Sequence, residues 1–273
     1  MSTTTSTAEA RAARDSTVRN VSLGGAIASE WIKFRGLASN HILAGFTLLL
    51  LLANGVAMPW AYVFRDRGSP QADYDPYPEM IVDKTGYVGV VLAVLAVLMM
   101  ANEYRSGQIS TTLLSVPRRT PALVAKAVIV ASIGFGIGVV SSAIGFAIAP
   151  AVLGGGGYSY VLDTPVLLRL VVGSGLYLAA IGMIGLALGT VIRNVIAAVL
   201  ATLVLLLIVP VIPQIFSAHG AEITRFFPIQ AGSLLLAPAG TDPMGPWVGY
   251  GVLLIWMLAL FLAAAITLKR RDA

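Results

Sequence analysis

Residues 195–216 read VIAAVLATLVLLLIVPVIPQIF, an unbroken run without Asp, Glu, Lys, Arg or His. A helix needs about 20 mostly apolar residues to cross a bilayer core, and this run is long enough. A barrel strand would alternate in polarity and this run does not, so a helix is the expected solution. Five further apolar runs follow the same reading, at roughly 41–63, 85–101, 122–152, 166–191 and 247–268. The chain as a whole is 57% hydrophobic and only 11% charged, against about a quarter charged in soluble domains. The expected fold class is an all-α integral membrane protein with six transmembrane helices.

Three runs carry local complications. The second is short for a span, so its outer end is expected to begin before Lys84. The third is too long for one straight span; Pro150 and the Gly154–Gly157 run are expected to end it, with Leu123–Val128 at the interface. Pro210 and Pro213 are expected to kink the fifth, freeing carbonyls that neighbours must satisfy.

Orientation follows from the Lys and Arg count. With the N-terminus inside, the inner side holds Arg11, Arg14, Arg19, Lys33, Arg35, Arg105, Arg118, Arg119, Lys126, Arg193, Lys269, Arg270 and Arg271. The outer side holds only Arg65, Arg67, Lys84, Arg169 and Arg225. Both termini are therefore expected to be cytoplasmic. The same bias explains the basic pI near 9.6 without a nucleic-acid partner.

Residues 1–20 are Ser, Thr, Ala and Arg rich and have no apolar core for a cleavable signal, so they read as a disordered cytoplasmic tail. Residues 21–38 read as an interfacial amphipathic helix before the membrane domain at 39–273. Leu23, Ile27, Trp31, Phe34 and Ala38 share one helical face, with Glu30, Lys33 and Arg35 on the other and Asn20 or Ser22 as cap. On the outer side, 64–84 is an acidic, proline-containing loop. Segment 217–246 holds Phe226-Phe227-Pro228 and an apolar run at Ala231–Ala237 too short to span, which suits a re-entrant or interfacial piece. Its two readings are a loop on the lipid surface and an outer gate. Arg193-Asn194 leaves room only for a tight inner hairpin, and the Gly185–Gly189 spacing allows close helix approach without naming the partner helix.

Several chemistries find no support. With no cysteine, thiol chemistry and Cys metal sites are excluded. His41 and His219 fall on opposite sides of the expected topology, and no Walker A, His-Glu-x-x-His or Gly-x-Ser-x-Gly pattern occurs. No charge lies mid-span, as a proton relay would require; Lys126 and Arg169 sit near span ends, where long side chains snorkel. No cofactor is expected. Energy for any transport has to come from another protein.

The segment suited to meeting one is 102–119, NEYRSGQISTTLLSVPRR. Asn102 is expected to cap a short helix starting at Glu103, with Ile109, Leu113 and Val116 on one face and Pro117 as its stop. The pattern Glu103-Tyr104-Arg105-x-Gly107-x-Ile109-x-x-Thr112-Leu113-x-x-x-Pro117-Arg118-Arg119, followed by Lys126, resembles the inner-loop signature of type-2 ABC exporter permeases. Glu30-Trp31-Ile32-Lys33 resembles the pattern of their interfacial helix, and the six spans resemble their topology.

That resemblance implies a permease subunit of a bacterial cytoplasmic membrane, paired with a second permease copy or homologue and a cytoplasmic ABC ATPase subunit. Residues near 102–117 would form the coupling helix, and Glu103, Tyr104, Arg105, Gly107, Ile109, Leu113, Pro117, Arg118, Arg119, Glu30, Trp31 and Lys33 the ATPase-coupling site. None would be catalytic. Family substrates would be drugs, antibiotics, peptides, lipids or glycans. The rival readings are a non-transporting membrane anchor or sensor that recruits an ATPase, and, more remotely, an intramembrane enzyme.

Overall fold

A computed structural model describes residues 23–66, 77–105, 119–158, 163–217, 219–238 and 240–270. The described residues are helical with short connections and contain no strand. Helix α1 (Leu23–Gly36) precedes the spans α2 (Ala38–Asp66), α3 (Thr85–Arg105), α4 (Arg119–Gly155) and α5 (Thr164–Ile192). The fifth span, Val195–Phe216, starts as α6 (Val195–Leu203) and finishes as α7 (Ile212–Phe216). Short helices α8 (Gly220–Thr224) and α9 (Pro228–Ser233) lead to the last span, α10 (Pro246–Arg270). Among the described residues, six helical stretches are long and apolar enough to cross a membrane, and they coincide with the six apolar runs.

Their boundaries correct some expectations. A 3-10 turn at Pro78–Ile81 leads into α3, so the second span does begin before Lys84. Pro150 does not stop the third span: it lies inside α4, which runs to Gly155, and Gly157 turns the chain with φ +86°. The fifth span widens into a π turn at Val204–Ile208 and tightens at Val209–Val211, where its prolines interrupt regular bonding. The Pro210 carbonyl takes a 3.0 Å bond from the Thr224 hydroxyl in the following segment. The Arg193-Asn194 turn is tight: Arg193 takes a left-handed φ of 57°, and Asn194 caps α6 by accepting from Ala197 N at 3.0 Å.

Burial sorts the spans. In α5 and α3, 72% and 67% of the most apolar window is buried, against 28% in α2, 22% in the fifth span and 17% in α10. The fourth span is thus the hub, packed against both the third and the second. The reason for its fit to the second is at Gly185, where a Cβ would stand 2.2 Å from the Ala93 carbonyl oxygen, and at Gly189, where it would stand 3.0 Å from that of Val97. The small-residue spacing on α5 faces α3, whose backbone lies directly against it.

Candidate coupling site

Helix α1 ends one residue before the first span, with only Leu37 between them. Asn40 reaches back to donate to the Phe34 carbonyl at 3.3 Å, and His41 Nε2 lies 3.0 Å from the Arg35 carbonyl. These bonds satisfy carbonyls that the end of a helix leaves open. They also fix the angle at which α1 leaves the bundle.

The face of α1 turned to the bundle carries part of its polar side. Ala26, Glu30 and Phe34 are buried, while Leu23, Trp31 and Ile32 are exposed. An acid therefore occupies the inward stripe, and apolar side chains face out, toward what would be lipid in a membrane. Phe34 stacks on Trp31 at 5.8 Å, and the Arg35 guanidinium stands 5.8 Å from the Trp31 ring centre.

Glu30 is inward because two ammonium groups wait for it. Lys126, on the first turns of α4, contacts Glu30 Oε2 at 2.5 Å and Glu103 Oε1 at 3.0 Å. Lys33 contacts Glu30 Oε1 at 2.7 Å and Glu103 Oε1 at 3.0 Å. Two acids and two bases from three helices form one closed, charge-neutral ring. The side chains of Glu30 and Lys126 are 3% and 5% exposed, so water screens that pair little, while Lys33, at 33%, reaches solvent.

Burial works to raise the Glu30 carboxyl, but the Lys126 ammonium, with Lys33 behind it, outweighs burial and holds it below its ordinary 4.5. Burial likewise works to lower Lys33, and bonds and charges from Glu30 and Glu103 carry it above its ordinary 10.5. Both groups are charged at neutral pH.

Two sequence expectations are corrected here. Asn102 and Glu103 do not begin a new helix; they lie in the last turn of α3, which continues to Arg105. A carboxylate near a helix C-terminus is disfavoured by the helix dipole, and Glu103 is held there by Lys33 and Lys126. Nor does Lys126 snorkel to water: it is 4% exposed and paired inside the protein.

The structure therefore brings together Glu30, Lys33 and Glu103, and adds Lys126, which sequence reading placed beside the motif but outside the site. Tyr104 joins through another residue that reading missed: the Arg193 guanidinium stands 5.0 Å from its ring centre. Arg193 is the left-handed C-cap of α5, and the only sequence signal for it was a cation in the two-residue inner turn. Trp31 is on the outer face of α1. Gly107, Ile109, Leu113, Pro117 and Arg118 lie outside the described residues, while Arg105 and Arg119 mark the helix ends that flank them.

The ring has a mechanical consequence. Removing one partner from a buried pair typically costs about 3–5 kcal/mol, because the other charge is left uncompensated. Helix α1 and the adjoining ends of α3 and α4 are thereby held as one unit. The connection 106–118 joins two of these helix ends.

No group of three or more His, Cys, Asp and Glu suited to a metal occurs among the described residues. In comparisons with known proteins, a family model described as ABC-2 family transporter protein matches residues 26–209. That stretch takes in most of α1, the charge ring, the first four spans and most of the fifth. None of the curated proteins matches the chain.

Proposed function

Since the chain belongs to the ABC-2 family of transporter proteins, we propose that it is the permease subunit of an ATP-driven exporter, worked by a separate cytoplasmic ATPase. The observation that carries this reading is the ring of Glu30, Lys33, Glu103 and Lys126, which clamps both flanks of the 106–118 connection to α1. A connection built to receive force from a partner needs such anchorage. A loop that only joins two spans does not.

On this reading, 106–118 seats in the ATPase with Arg118 and Arg119 as its charged contacts, and Glu30, Lys33 and Glu103 act behind it as anchors. Closure of the ATPase dimer on ATP would push the connection, and the ring would pass that movement to α3 and α4 as a shift between inward and outward states. On the same reading, the side rich in Lys and Arg, with both termini, faces the cytoplasm of a bacterial cell. A second permease copy or homologue would complete the assembly.

The test is co-purification with a candidate ABC ATPase in detergent, with ATP hydrolysis measured in the presence and absence of this chain. Stable association and altered hydrolysis are expected, both weakened by Arg118→Glu. Failure to associate with any candidate ATPase would remove the energy source and overturn the reading. Association without substrate-dependent flux would instead identify a membrane anchor.

A further inference from the structure

At the end of the bundle opposite the charge ring, elements distant in sequence converge on one guanidinium. Arg169, near the start of α5, donates through Nη2 to Glu79 Oε1 at 3.0 Å and through Nη1 to the Ala237 carbonyl at 3.0 Å. Glu79 belongs to the 3-10 turn that leads into the second span. Ala237 closes the turn Leu234–Leu236, in the segment between the fifth and sixth spans. The Arg169 and Glu79 side chains are 13% and 9% exposed, so the pair is largely shielded from solvent.

Further along α5, Tyr177 is fully buried and its hydroxyl donates to the Ile229 carbonyl at 2.5 Å. One helix thus grips the same connecting segment at two backbone carbonyls, on either side of the 230–236 stretch. The two grips differ in character. Tyr177 is neutral and enclosed: a Cβ on Gly86 would stand 1.9 Å from its hydroxyl oxygen, and one on Gly232 would stand 2.3 Å from its ring. Arg169 is charged, and its two partners, Glu79 and Ala237, both line a cavity of about 230 Å³, along with Asp83, Ser233 and Leu236.

A charged bond at the edge of a polar cavity can open with water replacing each lost contact. A bond enclosed by packed side chains has no such replacement. We infer that Arg169 is a releasable latch on a flap formed by residues 234–238, and that Tyr177–Ile229 is the fixed anchor holding residues 229–233 beneath it. When Arg169 lets go of Glu79 and Ala237, the flap lifts from that anchored stretch and widens the cavity. Its use as the exit gate of an exporter rests on the permease reading; the latch itself does not.

The chain has no cysteine, so one introduced thiol reports opening without background. Leu236 is 2% exposed and lines the cavity, and L236C in the full-length protein in detergent is the reporter. In that background, R169Q is expected to raise the rate of alkylation by a charged maleimide about tenfold, well within what loss of a buried ion-pair partner can shift. E79Q, which leaves the Ala237 bond in place, should raise it less. Equal rates in L236C with and without E79Q or R169Q would overturn the latch. Should R169Q fail to give monodisperse protein, E79Q alone decides. No ATPase is needed, so unchanged labelling sinks the latch alone, whereas fast labelling without ATPase association sinks only the permease reading.

Discussion

Lys126 Nζ lies 2.5 Å from Glu30 Oε2, joining the third span to a helix that precedes the first, across 96 residues of chain. Neither group has free access to water, and each has a further partner of opposite charge within 3.0 Å. The pair closes a circuit that neither helix could close alone.

The first prediction concerns that circuit. Lys126→Met strands two buried carboxylates with only Lys33 between them, and is expected to destabilise the protein by about 3–5 kcal/mol. The double variant E30M/K126M, which removes both charges of the closest pair, should recover much of that loss. Thermal unfolding in detergent measures both. A double variant no more stable than K126M would mean that lost packing, not stranded charge, causes the effect.

The ring also sets a pH dependence. The Glu30 carboxyl is held below 4.5, so its contribution is present above that value and is lost as pH falls through the lower folded pKa. Lys33 is raised above 10.5, so its contribution is present below that value and is lost as pH rises through the higher folded pKa. Between these limits the two contributions are constant. The difference in melting temperature between native protein and E30Q should therefore be flat through neutral pH and shrink in acid. A difference that grows below pH 4.5 would contradict the assigned direction.

Gly185→Ala should force the two most buried spans apart, since its Cβ would meet the Ala93 carbonyl oxygen at 2.2 Å. Overpacking of this kind costs about 1–3 kcal/mol. Gly136→Ala is the internal control, because a Cβ there meets nothing within 4 Å, and in a helix Ala is the better residue by about 1 kcal/mol. Comparative melting in one detergent should show opposite signs. Equal effects would remove the account of why α5 packs on α3.

Tyr177→Phe keeps the packed ring but deletes the bond to the Ile229 carbonyl. Loss of one hydrogen bond typically costs about 0.5–1.5 kcal/mol, and the loss should appear as faster amide exchange at 229–233 than in the rest of the bundle. Uniform acceleration across all spans would indicate a general rather than a local role.

Sequence reading and tertiary structure divide at identifiable residues. Glu30, Lys33 and Glu103 were legible as site residues because they sit in recurring local patterns, but their partnership was not. Helical periodicity put Glu30 on the polar side of α1, away from Leu23 and Trp31, and the structure turns that acid toward the bundle to meet Lys126. Glu103 looked like the start of a helix because Asn102 before it suits a cap, yet the apolar second span simply continues through both. Arg169 and Lys126 looked like snorkelling cations. Their counter-charges, Glu79 for one and Glu30 and Glu103 for the other, come from elsewhere in the chain.

The sequence by itself determined the class of fold and the position of all six spans. Each span must satisfy its own backbone and present apolar side chains within about 20 consecutive residues, so the requirement is local and can be read one stretch at a time. Tertiary structure alone decided which helix lies against Gly185, which charges close the ring at one end, and which carbonyls Arg169 and Tyr177 hold at the other. Those outcomes depend on residues tens of positions apart arriving within 3 Å of each other, and only the packing of whole helices sets that distance.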